Sequence, residues 1–245
     1  MMMKKLGFSI LLLLMMLSTT SYSQVNNYNI NLVEFNSISV NSAYTVYVKQ
    51  SNKEEIKIKA EKEIYEISEF IVKEGVLHIN IKKDESKASK SIWQKIDNIK
   101  LLPTLKVYVS IKDVKSLSVN GNGKLITENS IAADDLKVLV AGPGSMDIDI
   151  KSKNLSAKLA GSGNLEISGY SNSLSVENSG SGNINAYNFE VKTAKSSLYG
   201  SGSIEINVSE SLDAKIYGSG HTFVKGATKE IKSQEYGEGE VERKN

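Results

Sequence analysis

Leu159-Ala160-Gly161-Ser162-Gly163-Asn164-Leu165-Glu166-Ile167 is the stretch whose reading decides the fold. Its Gly-X-Gly triplet occurs seven times, starting at Gly121, Gly142, Gly161, Gly180, Gly200, Gly218 and Gly237, in steps of 21, 19, 19, 20, 18 and 19 residues. A period of this length is an internal repeat. Two residues before most triplets stands an aliphatic: Val119, Val140, Leu159, Leu198, Ile216. After the triplets alternation resumes, as in Met146 and Ile148, Leu165 and Ile167, Ile184 and Ala186, Ile204 and Ile206. Period-two alternation reads as short strands with one face buried. The glycines between them read as corners, because glycine reaches backbone angles that other residues resist. The repeat is too short for a crossover helix. Equal steps with the same residue types at the same offsets favour coils stacked in one direction over a hairpin meander. The expected fold is therefore all-β, a parallel β-helix or β-solenoid with about 19 residues per coil. One coil cannot bury its few aliphatics alone, whereas coils stacked at about 4.8 Å share an interior column. The last repeat is degraded: Glu235 replaces the aliphatic, and the charged tail Val241 to Asn245 reads as a cap or a frayed end.

The chain opens with Lys4 and Lys5, an apolar run from Leu6 to Leu17, and small polar residues up to Ser23. This is the pattern of a secretory signal peptide over residues 1–23, with Ser21 and Ser23 at the cleavage positions. Removing 23 residues from 245 leaves a mature chain of 222, from Gln24 to Asn245. No cysteine follows the apolar run to carry a lipid anchor, and no disulfide is possible. The expected location is exported: periplasm, outer surface or extracellular space, with no integral membrane segment after cleavage. Of thirty basic residues the leader takes two, leaving twenty-eight against twenty-eight acids. That balance argues against a nucleic-acid partner.

Residues 24–116 keep the strand lengths but lack the glycine triplet. Residues 24 to 31 read as polar and loose. Alternation begins at Phe35 and runs through Ile38, Val40, Tyr44, Val46, Val48, Ile56, Ile58 and Ala60. Glu61 to Glu69 reads as a short helix or an irregular crossing, and Glu74-Gly75 as a tight turn before Leu77, Ile79 and Ile81. This part is either the first coils of the same solenoid or a small β-domain capping it. Residues 82–104 break the pattern as a flexible insertion holding the chain's one tryptophan, Trp93. Trp93 either covers core or contacts a partner. Residues 117–245 are the glycine-rich coils.

Stacking turns equivalent outward positions into columns. Asp147, Glu166, Asn185 and Glu205 form one, which as an acid/base pair would suit a polysaccharide-cleaving enzyme. Asn185 interrupts it, and no base or cation joins it at a fixed spacing. Tyr199, Tyr217 and Tyr236 form a second, each just before a triplet. These rings either recognise a sugar or protein partner or cover one another against water. Ser162, Ser181, Ser201 and Ser219 form a third at the corners, with no histidine at matching spacing; His78 and His221 are the only two. No zinc, calcium or phosphate-loop pattern is present, so no cofactor and no metal is expected.

The opening from Phe35 to Val48 and the Gly-Ser-Gly-Asn/Ser-aliphatic-X-aliphatic repeats at 161–167, 180–186 and 200–206 resemble the head GIN domain family, described as putative autotransporter adhesins. The resemblance covers roughly residues 35 to 240. It implies a right-handed parallel β-helix in a secreted or envelope protein of a Gram-negative bacterium, with adhesion as its role, and it brings no catalytic residues. Two functions follow. The favoured one is a non-catalytic envelope module that binds a glycan or surface protein through Tyr199, Tyr217, Tyr236 and Trp93. The alternative is a polysaccharide-active enzyme working through the Asp147/Glu166 column.

Overall fold

The computed structural model describes residues 25–82 and 105–244. The expected signal peptide, and Trp93 with the rest of 83–104, lie outside the described residues.

Each glycine repeat folds as one coil of a parallel solenoid. β8 (Ser116–Asn120) and β9 (Lys124–Thr127) start it, and β10 (Ile131–Ala141) follows. β11 (Ser145–Gly161), β12 (Asn164–Gly180), β13 (Asn183–Gly200) and β14 (Ser203–Gly218) then run almost unbroken from one triplet to the next. β15 (His221–Lys225), β16 (Glu230–Gly237) and β17 (Val241–Arg243) close the chain. The alternating aliphatics fall in register: Met146 on Leu165, Ile184 and Ile204 in one column, Leu136 on Leu155, Leu174, Ala194 and Leu212 in another. All are buried. Removing such side chains from water is the main force holding the coils, at about 1.5–3 kcal/mol for each fully buried aliphatic.

The two glycines of a triplet do different work. Gly161 has φ 131, so it makes the bend that a side chain would resist. Gly163 is not in that region. Its N–H donates to the carbonyl of Gly142 in the coil beneath (3.0 Å), and a Cβ here would collide with the Gly144 carbonyl oxygen. The corner bonds draw successive corners so close that only glycine fits.

Two interior positions break the aliphatic rule. Asn178 stands between Leu159 and Leu198 in the column preceding the triplets and is fully buried. Its amide donates to the carbonyls of Gly182 (2.7 Å) and Ser203 (3.2 Å). Gly169 lies in register with Phe189, one of the largest fully buried side chains, so a small residue leaves room for a large one.

The first part of the chain contributes coils, but not in chain order. β2 (Ser37–Asn41) and β3 (Thr45–Gln50) form a coil that sits directly under β8 and β9. β6 (Val76–Ile81) and β7 (Lys106–Ile111) come later in sequence yet lie beneath β2 and β3, again in parallel. β6 ends and β7 begins at the edge where other coils place their corner. Antiparallel strands finish this end: β4 (Glu55–Glu61) on β7, β1 (Val25–Ile30) on β4, and β5 (Ser68–Lys73) on β6. This end thus joins parallel coils to antiparallel strands that occupy the open strand edges. Residues 25–30 correct the reading of a loose segment. They are a strand, because Tyr28 stacks on Tyr65 (3.6 Å between rings) and Ile30 packs on the core. The short helix α1 (Lys62–Ile67) and the turn at Glu74-Gly75, both at positive φ, stand where the sequence put them.

Tyr44 anchors the cap to the coils. It is fully buried; its hydroxyl donates to Ser68 Oγ (2.8 Å), which in turn donates to the Ile64 carbonyl (2.7 Å). Burial, outweighing the Ser68 bond, pushes its pKa up to about 12. The folded state thus favours the neutral phenol, and stability is present below the ordinary tyrosine pKa and lost as pH rises through about 12. Between about pH 10 and 12 this group should remove about 2–3 kcal/mol. Denaturant melts of wild type and Tyr44→Phe across that window check this: the wild type should lose more stability than the variant, and parallel losses would remove Tyr44 as the cause.

Candidate functional site

Tyr199, Tyr217 and Tyr236 are brought together. Parallel pairing of β13, β14 and β16 sets Tyr199 on Tyr217 and Tyr217 on Tyr236. Buried Leu198 and Ile216, one residue earlier, turn Tyr199 and Tyr217 outward, and Tyr236 follows them in register although Glu235 precedes it. Ring centroids are 4.9 and 4.8 Å apart with interplanar angles of 3° and 6°, so the rings stack at the strand spacing itself. They stay exposed at 44, 37 and 56%. Inner ring faces cover one another, while a ridge of ring edges and hydroxyls faces solvent. Tyr236, on the outermost strand, is the most exposed and keeps one ring face open.

The carboxylate column also forms: Asp147, Glu166, Asn185 and Glu205 are consecutive register partners. The Glu166 carboxyl is held above the usual range, first by desolvation, then by the charges of Asp147 and Glu205, against a hydrogen bond from Asn185 that lowers it. One feature corrects the sequence reading. Lys124, in register with Ser145, lines the same shallow depression of about 570 Å³ as Asp147 and Glu166. The corner serines are exposed, and among the described residues no group of His, Cys, Asp or Glu is arranged to hold a metal ion.

A second tyrosine pair escaped the sequence reading. Tyr47 and Tyr108 stack with centroids 5.0 Å apart at the capped end, with Lys59 Nζ 5.4 Å from the Tyr108 ring and Lys106 Nζ 6.0 Å from the Tyr47 ring. The signal was there: Val46-Tyr47-Val48 and Val107-Tyr108-Val109 are the same tripeptide, as two strands sharing a register would be.

The coils and the capped end define a parallel β-solenoid whose equivalent outward positions stack in columns. The chain belongs to the head GIN domain family, described as putative auto-transporter adhesin, whose model matches residues 34–242. A solved structure of a putative adhesin from Bacteroides fragilis is 23% identical, with 91% of this chain and 98% of that one covered and a TM-score of 0.81. A putative lipid binding protein from Parabacteroides distasonis is 22% identical over 91% and 97% of the two chains, with a TM-score of 0.70. A putative adhesin from Parabacteroides merdae is 20% identical over 91% and 97%, with a TM-score of 0.68. At these identities the likeness is one of fold. No curated protein matches the chain. Among the described residues no helix is long and apolar enough to cross a membrane.

Proposed function

We propose that the chain is exported on residues 1–23, matures as one head GIN domain from Gln24 to Asn245, and acts at the cell envelope or beyond it as a non-catalytic, adhesin-type binding module. The observation that carries this is the ladder of Tyr199, Tyr217 and Tyr236: three parallel, stacked rings kept on the surface although each costs solvent-exposed apolar area. Tyrosine presents a rigid apolar body with a polar tip, the chemistry that envelope glycans and protein surfaces both accept. Trp93, on the insertion, is proposed as a second contact. The adhesin names of the structural neighbours agree with this role.

The second reading, a polysaccharide-active enzyme, draws on Lys124, Asp147 and Glu166 sharing one depression. One experiment separates the two. The mature protein and a Tyr199/Tyr217/Tyr236→Ala variant are applied to a glycan array and to envelope fractions, and the recovered glycans are sized. Binding should fall at least tenfold in the variant while its β-type circular dichroism persists, and the glycans should return at full length. Binding untouched by the substitutions sinks the ladder as a recognition surface; shortened glycans, with Glu166→Gln abolishing the shortening, establish the enzyme.

A further inference from the structure

Where each repeat enters the face that carries the tyrosines, a trough of about 1120 Å³ runs along the solenoid from Lys115, just before β8, to Lys232 on β16. It crosses β8, β10, β11, β12, β13, β14 and β16; six strand steps of about 4.8 Å make it about 29 Å long. The tyrosine ladder lies elsewhere: Lys195 in the trough and Tyr199 are four residues apart on one strand, about 13 Å.

The lining decides what fits. On β11 and β12 the outward side chains of the trough are small and uncharged, Asn154, Ser156, Ser173 and Ser175, and on β13 Thr193 stands near the exposed Lys195. Asn154 Nδ2 donates to Asp135 Oδ1 (2.8 Å), and Ser173 Oγ donates to Asn154 Oδ1 (2.7 Å). The leucines of these strands turn into the core and are almost fully buried, so on β11 and β12 the groups that project into the trough are serine hydroxyls and the Asn154 amide. Five acids face four lysines around the trough, which leaves no cationic surplus to hold an anionic polymer.

We propose that this trough binds an extended, uncharged, hydroxyl-rich polymer, a linear neutral glycan laid parallel to the solenoid axis. The proposal rests on the reading of the protein as a binding module but on a different surface from the ladder. Sugars over β11 and β12 meet short hydroxyls and an amide that donate and accept, those further along meet balanced lysines and carboxylates that can bond hydroxyls, and none meets an aromatic platform. Affinity therefore comes from many weak contacts along the trough and grows with chain length.

The test is calorimetric titration of the mature protein with linear gluco-, xylo- and manno-oligosaccharides, from disaccharide to octasaccharide. A Ser156→Arg/Ser175→Arg variant fills the trough from exposed positions, and the tyrosine-to-alanine variant runs beside it. Affinity for at least one series should rise with length until the chain spans about 29 Å. It should drop at least tenfold in the arginine variant and hold in the tyrosine variant, with circular dichroism unchanged in both. Three results would each overturn the proposal: no binding by any series, binding indifferent to the arginines, or tighter binding of polygalacturonate or phosphatidylcholine vesicles. Loss in the tyrosine variant alone would leave the ladder as the only glycan surface and sink the trough.

Discussion

Gly182→Ala should lower the melting temperature of the mature protein by about 4–12 °C, corresponding to about 2–3 kcal/mol. The reason is proximity. Gly182 donates its N–H to the Gly161 carbonyl (3.0 Å), and a Cβ on it would collide with the Gly163 carbonyl oxygen and lie 2.9 Å from the Leu159 side chain. The neighbour that must give way is backbone, fixed in turn by the coil below, so no side-chain rotation relieves the clash. Gly121→Ala is the control. Gly121 has φ 119, but a Cβ there meets nothing within 4 Å, so the variant pays only for its backbone angle, about 1–2 kcal/mol. Thermal melts of both variants test the division of labour within the triplet. Gly182→Ala should be the worse of the two; equal losses, or the reverse order, would show that corner conformation rather than corner packing makes the glycines necessary.

That division was only half legible from residues. A glycine at a bend announces an unusual backbone angle, and Gly161, Gly200 and Gly218 have one. The second glycine has an ordinary angle, and its necessity comes from the coil below, which a linear sequence does not display. Similar logic separates what could be read elsewhere. Within the glycine repeats the period sets the stacking, so Tyr199, Tyr217 and Tyr236 fell in register as expected. Before residue 117 there is no period, and nothing local told β6 and β7 to pass beneath β2 and β3. Asn178 interrupts the aliphatic column between Leu159 and Leu198. It is a buried donor to two carbonyls, a role visible only once Gly182 and Ser203 are beside it. The trough was invisible for the opposite reason: its serines, Thr193, Asn154 and scattered charged residues are unremarkable one at a time and become a surface only when strands set them side by side.

The C-terminal end yields the other large effect. β16 is the outermost strand of its face among the described residues, eight residues long and mostly exposed, and a strand of that length with free N–H and C=O groups invites pairing. The opposite end is covered by β1, β4 and β5; among the described residues no strand pairs with the outer edge of β16. It carries Glu235, in register with Ile216, at the place where every other coil except that of Asn178 has an aliphatic. The carboxylate accepts from the Val241 N–H (3.3 Å) and sits exposed on top of the core column. Any second chain docking there would have to desolvate that charge, which is unfavourable by several kcal/mol without a partner. Glu235→Leu removes the obstacle and continues the Leu198–Ile216 column to the surface. Two such ends can meet about a two-fold axis with their β16 strands antiparallel, burying both leucines. Sedimentation velocity over a concentration series should show the variant self-associating at least tenfold more tightly than wild type, with unchanged circular dichroism. Identical sedimentation of the two proteins would mean that the charges of Glu230 and Lys232 along the same strand protect the edge without Glu235.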